Sequence, residues 1–121
     1  MEFRETIENK LKEIDTNVYY GRVPEDIENQ KWNYIVFGKN KLTKNDKNDI
    51  DLQDSYWISI CRENFIPDET IISVINSLKS ISGFRLSTSG GDYDYVFKKN
   101  TDLVVEIVTV IFTRTLKCGS L

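Results

Sequence analysis

Two helices packed on a mostly antiparallel sheet of four to six strands, an α+β fold in the order α-β-β-β-α-β-β-β, is the architecture the sequence predicts. Three observations carry it. Two segments place apolar residues at helical spacing, several short runs are rich in aromatic and β-branched residues, and short links between those runs favour antiparallel pairing. The 121 residues suffice for one domain, 1–121, with a frayed tail expected from about residue 116.

The first helix is expected over residues 2–15. Phe3, Ile7, Leu11 and Ile14 fall on one stripe of a 3.6-residue period, and Glu5, Glu8, Asn9, Lys12 and Glu13 fill the outer face. Asp15-Thr16-Asn17 favour a turn that ends it. Val18–Tyr20 follows as a short strand, then a connection with Gly21 and Pro24, then a second strand over Trp32–Phe37 closed by Gly38. The stretch 18–38 therefore reads as strand, turn and strand, loaded with Tyr and Trp and empty of any set of residues that could run chemistry. Residues 39–54 are polar apart from Leu42, Ile50 and Leu52 and read as a long loop, a length that is unusual inside a compact domain and often functional. Ser55–Glu63 is a third strand, with Ile58 and Ile60 on one face and Trp57 and Cys61 on the other.

Pro67-Asp68-Glu69 opens the second helix, the acids complementing its N-terminal dipole. Ile71, Ile72, Ile75, Leu78 and Ile81 are its expected stripe, and Ser82-Gly83 stops it. Phe84–Ser87 is a short strand, Thr88–Gly91 a turn, and Tyr93–Phe97 the returning strand. Lys98–Asp102 turns again into a long last strand, Leu103–Thr115. That strand is apolar on both faces. Leu103, Val105, Ile107 and Ile111 line one, and Val104, Val108, Val110 and Phe112 line the other, broken by Glu106. A sheet with one solvated face alternates apolar and polar residues instead. Either the two helices divide between the faces, or one face meets another subunit.

Composition narrows the function classes. Sixteen basic and 19 acidic residues give a formal charge of −3, without the basic excess of a nucleic-acid binder. No apolar run is long enough to span a membrane, and the charged start M-E-F-R-E-T lacks the apolar core of a secretion signal. There is no histidine, which removes His-based acid–base and nucleophile systems and most zinc sites. Cys61 and Cys118 read as two reduced thiols, Cys61 being a buried structural one. Asp46, Asp49, Asp51 and Asp54 cluster, but Ile50 interrupts the alternation of a calcium loop and no Gly makes its sharp turn. They read as part of a solvated loop balanced by Lys39, Lys41, Lys44 and Lys47, able to make a charged rim contact with a partner. Ser89-Gly90-Gly91 lacks the spacing and the Lys of a phosphate loop and reads as a hairpin turn. No catalytic, cofactor or metal residues emerge, and an enzyme is not expected.

The phrases V-Y-Y-G-R-V-P (18–24), W-N-Y-I-V-F (32–37), Y-W-I-S-I (56–60), D-E-T-I-I-S-V-I-N-S-L (68–78) and V-E-I-V-T-V-I-F-T-R (105–114), in this order around a long polar loop, resemble the small tail terminator proteins of long-tailed bacteriophages. These are also called tail completion or head–tail joining proteins. The resemblance spans nearly the whole chain and rests on element order and short phrases, with no invariant catalytic signature. It implies an α+β subunit without cofactor that assembles, as a homohexameric ring in the virion neck, on the last ring of the tail tube. That ring stops tube polymerisation and offers a docking face to the head–tail connector or stopper. DNA would meet it in passage through the lumen, the chain would be made in the host cytoplasm, and no membrane is implied. Inter-subunit and tube contacts would fall on Tyr19, Tyr20, Arg22 and Trp32, and on Lys39, Lys41, Lys44, Lys47, Asp49 and Asp51 of the 39–54 loop, with the 88–92 turn a further candidate. Another neck-ring protein, or a small intracellular binding module such as an immunity or inhibitor protein, is the alternative.

Overall fold

The computed structural model describes residues 2–23, 32–44, 51–97 and 103–117. Helix α1 (Phe3–Lys12) leads into strand β1 (Val18–Tyr20), followed by β2 (Tyr34–Lys44), β3 (Leu52–Glu63), helix α2 (Asp68–Lys79), β4 (Arg85–Phe97) and β5 (Val104–Leu116). The strands form one sheet in the order β1-β2-β3-β5-β4. The α+β class and the two helices are as the sequence predicts.

Both helices lie on one face of the sheet. Ile7 and Leu11 of α1 and Val74 and Leu78 of α2 are fully buried against Ile35 and Phe37 of β2, Tyr56, Ile58 and Ile60 of β3, and Val108, Val110 and Phe112 of β5. Phe3 extends this layer, edge-on to Phe84 with ring centroids 5.1 Å apart, and Phe84 stacks on Phe112 at 4.9 Å. Burying branched and aromatic side chains of this size contributes about 1.5–3 kcal/mol each, which is why the 3.6-residue stripe of α1 and the two-residue alternation of the strands settle on a common core. The expected α1 stripe, Phe3, Ile7, Leu11 and Ile14, is wholly in that core or packed against it.

Four sequence expectations are corrected. First, β1 and β2 are not a hairpin: Val18, Tyr19 and Tyr20 pair in parallel with Ile35, Val36 and Phe37. Parallel neighbours need a crossover of about a dozen residues, which 21–33 can supply and a tight turn cannot. Gly21, at φ +83°, ends the pair by donating its N–H to the Phe37 carbonyl at 2.7 Å. Pro24 lies outside the described residues. Second, the 39–54 segment is mostly strand: β2 continues to Lys44 and β3 begins at Leu52, making an extended antiparallel arm. The polar composition misleads because this arm projects beyond the helices and has no core side to fill.

Third, Phe84–Ser87 and Tyr93–Phe97 are one strand, β4, paired with β5 on both sides of a bulge between Leu86 and Gly91. The chain thus has five strands, in the order α-β-β-β-α-β-β. Gly91 is needed there, since a Cβ would sit 2.8 Å from Val110 Cγ1 and 2.9 Å from the Thr109 carbonyl oxygen. Fourth, Ile72 of α2 points outward at 56% exposure, and Val74 takes the buried place. The spacing 71, 74, 75, 78 follows the helical period better than a stripe through residue 72.

Candidate functional site

The sheet face away from the helices is the first distinctive surface. Alternation and register put Tyr19, Tyr34, Val36, Trp57, Cys61, Val105, Ile107 and Ile111 on it, interleaved with Ser59 and Thr109, whose hydroxyls meet at 2.6 Å. Tyr19 stands edge-on to Tyr34 with centroids 6.1 Å apart. Trp57 lies against Gly38, where a Cβ would come within 2.8 Å of the indole ring. Cys61 and Val105 are buried, and the other apolar residues of this face are half-buried. Of the alternatives the last strand posed, the described residues select a sheet with both helices on one side.

At the inner end of this face Cys61 is a free, buried thiol beside the Tyr34 hydroxyl. Burial pushes the thiol above its ordinary value, against the opposing pull of the Tyr34 hydrogen bond and of the Arg62 charge. Burial pushes Tyr34 up as well, and the neighbouring thiol adds to the effect. Both groups are held in their protonated, unreactive forms, the state of packing residues rather than of a nucleophile. Arg62 lies on the helix side, 2.9 Å from Asp15, and donates to the Cys61 carbonyl at 2.9 Å. Glu106, the polar break in the last strand, accepts the Ile66 N–H at 2.8 Å ahead of α2.

The second distinctive feature is a pair of sheet edges of opposite charge. On one side, β1 covers β2 only as far as Phe37, so among the described residues the arm beyond Gly38 has no strand on its outer side. That edge is exposed and carries Lys39 and Lys41 beside Leu42. Asn40 and Lys41 form a bulge opposite Ser55, whose hydroxyl accepts the Lys41 N–H at 3.1 Å and the Asn40 side-chain amide at 3.2 Å. On the other side, β4 is the last strand. Beyond its bulge it reads G-D-Y-D-Y-V-F, with Asp92 and Asp94 on the open side and Tyr93, Tyr95 and Phe97 on the helix side, exposed by 58, 55 and 72%. The Val104 carbonyl bonds Asn64 on the β3 side, so Val105, Ile107 and Thr109 turn toward β4, and the Tyr93 and Tyr95 amides turn outward. Asp94 Oδ1 caps the Tyr95 N–H at 2.8 Å.

The structure scatters the residues singled out from sequence. Tyr19 is on the open face. Tyr20 is on the helix side, 5.1 Å from the Phe37 ring, with the Arg4 guanidinium 5.3 Å over it. Arg22 is exposed beyond β1, and Trp32 is half-buried with its backbone N–H donated to Glu63 Oε1 at 3.1 Å. Lys39, Lys41 and Lys44 are together on the β2 arm, and Asp51 is at the foot of β3; Lys47 and Asp49 lie outside the described residues. Asp54 corrects the picture of a solvated acidic loop. It is buried on the helix side, 3.2 Å from Arg114 Nε, whose guanidinium also lies 3.9 Å from the Phe3 ring centre. The β4 edge was the missed element, although the alternation Asp-Tyr-Asp-Tyr, polar on one side and aromatic on the other, is its visible signal.

Among the described residues no three Cys, Asp or Glu side chains gather to hold a metal ion. Two open grooves of the described residues flank Arg114: one of about 210 Å³ along Lys39–Leu42, Asp54 and Leu116, and one of about 560 Å³ along Phe3, Ser82, Gly83, Arg85, Thr115 and Lys117, and no cluster of acid–base or nucleophilic side chains lines either. No helix of the described residues is long and apolar enough to cross a membrane. Fold and surface together define a small α+β protein with one helix-covered sheet face and exposed, oppositely charged edges. No protein-family model matches the chain, and no curated protein matches its sequence.

Proposed function

We propose that this chain is a virion structural protein acting by binding, a tail terminator of a long-tailed bacteriophage. Its subunits form a hexameric ring that caps the tail tube, stops its polymerisation and joins the tail to the head connector. The observation that carries this reading is the pair of exposed sheet edges, basic on the β2 arm and acidic on β4, at opposite sides of one sheet. A subunit with two different sticky sides makes heterologous contacts, and heterologous contacts give rings where the rotation between subunits closes and filaments where it does not. The resemblance in element order and in the phrases at 18–24, 32–37 and 105–114 supports the choice of a tail-neck protein. A chain of net charge −3 suits a lumen that DNA must traverse without adhering.

Native mass measurement of the full chain, alone and with tail tubes, tests this. The expected result is a closed ring of 14.1 kDa subunits, or a monomer that becomes a ring on tubes. A chain that stays monomeric and binds one toxin or enzyme at equal stoichiometry contradicts it and favours an inhibitor or immunity module.

A further inference from the structure

We infer that neighbouring copies join edge to edge: the outer edge of the β2 arm of one copy adds to the outer edge of β4 of the next, continuing the sheet from subunit to subunit. This rests on the ring reading above and deepens it by naming the contact. A sheet edge exposes a row of unpaired backbone donors and acceptors and is a template for another strand unless it is blunted. Among the described residues, one edge of this sheet is covered by β1 only at Ile35–Phe37, leaving the arm beyond it. The other is β4, which presents the outward amides of Tyr93 and Tyr95.

The occupant is a second copy because the two edges complement each other in charge and in side-chain type. The acidic β4 edge does not suit itself, since pairing two copies isologously brings Asp92 and Asp94 near their equivalents. The basic arm has the same difficulty with Lys39 and Lys41. Across the two edges the signs match. Lys41 lies in the bulge opposite Ser55, whose hydroxyl on the open side takes its N–H, and Asp92 and Asp94 share that open side with Thr109 and Ile107. Lys39 pairs with Tyr56 on the helix side, the side of Tyr93 and Tyr95, where its stem can lie along an aromatic ring. Arg85, the basic residue of β4, is on the far side of the bulge. In a single copy the Asp94 carboxylate occupies the Tyr95 N–H and blunts the edge; an incoming lysine draws that carboxylate away and frees the amide for the neighbouring strand.

Charge exchange tests this with four proteins, each checked for native circular dichroism: wild type, Lys39→Glu with Lys41→Glu, Asp92→Lys with Asp94→Lys, and the quadruple variant. Sedimentation velocity at low salt over a wide concentration range is the readout. Wild type is expected to associate beyond a dimer. Each double variant should associate at least tenfold more weakly, and both the quadruple variant and an equimolar mixture of the two doubles should recover. Recovery in the mixture shows that both doubles are folded. Double variants that assemble as wild type does overturn the edge contact while leaving the ring reading standing. A wild type that stops at a dimer, or stays monomeric throughout, also overturns the edge contact. In that case the ring reading stands or falls separately, on whether the chain forms rings on tail tubes.

Discussion

Asp54 and Arg114 set the tightest constraint on single side chains. The carboxylate is buried, and Arg114 both pairs with it and covers the Phe3 ring. Arg114→Ala leaves a charge without its partner and is expected to cost about 3 kcal/mol, the low end for a buried pair because Arg114 keeps some solvent contact. A fall in the urea midpoint at unchanged slope measures it. Gly38→Ala drives a methyl into the Trp57 indole and is expected to cost about 1–3 kcal/mol by the same measurement. Cys61 and Tyr34, with Tyr56 raised by burial in the same way as Tyr34, give the pH dependence. Burial pushes Cys61 above its ordinary 9.0 and Tyr34 above its ordinary 10.0, so the folded chain keeps protons that the unfolded chain loses. Their contribution to stability is complete below the lower ordinary value and is lost as pH rises through the window above it. Stability is expected to fall first above about pH 9 and further above about pH 10. Cys61→Ala should remove the first part of that decline and leave a smaller second part, since burial still raises Tyr34. A flat profile through both windows contradicts the account. Tyr and Cys were legible in the sequence as packing residues, but their side-by-side placement depends on the pairing of β2 with β3, which no local pattern encodes.

Local periodicity encodes the elements well wherever a core imposes it. The α1 stripe was legible in full because four apolar residues on one helical face have a single sensible burial. The α2 stripe was misread by one residue, since several isoleucines in succession give two nearly equivalent faces and the choice of Val74 over Ile72 is made by the sheet beneath. The β2 arm and the middle of β4 were illegible for a different reason. The arm buries little, so it lacks the alternation by which a strand is recognised, and in β4, whose end Tyr93–Phe97 does alternate, the serines and glycines of 87–91 imitate a turn. Ser55 is the anchor of the arm. Ser55→Ala removes the acceptor of the Lys41 and Asn40 donors and is expected to cost about 1–2 kcal/mol. Faster hydrogen exchange at the Lys41 amide, with core amides unchanged, is the accompanying sign. Normal protection at Lys41 in that variant contradicts the anchoring role.

At the scale of the whole molecule, the described residues form a sheet with one face covered by the two helices and with the β2 arm and β4 at its outer edges. The α+β class and the single core were legible in two helical stripes and a doubly apolar last strand. The opposite signs of the two edges were not, because sheet order β1-β2-β3-β5-β4 separates in space what composition averages to a near balance. Of the residues singled out from sequence, Lys39 and Lys41, and Asp92 of the 88–92 turn, keep a place in the proposed contact, while Asp94 enters it through the topology. The most direct test of a tube-capping ring is electron microscopy of tail tubes polymerised from the tube protein of the same virus, with and without this chain. The account predicts that tubes stop at a bounded length with a ring at one end when the chain is present, and that Lys39→Glu with Lys41→Glu weakens the capping. Tubes that elongate equally in its presence, with the chain left unbound in solution, would contradict it.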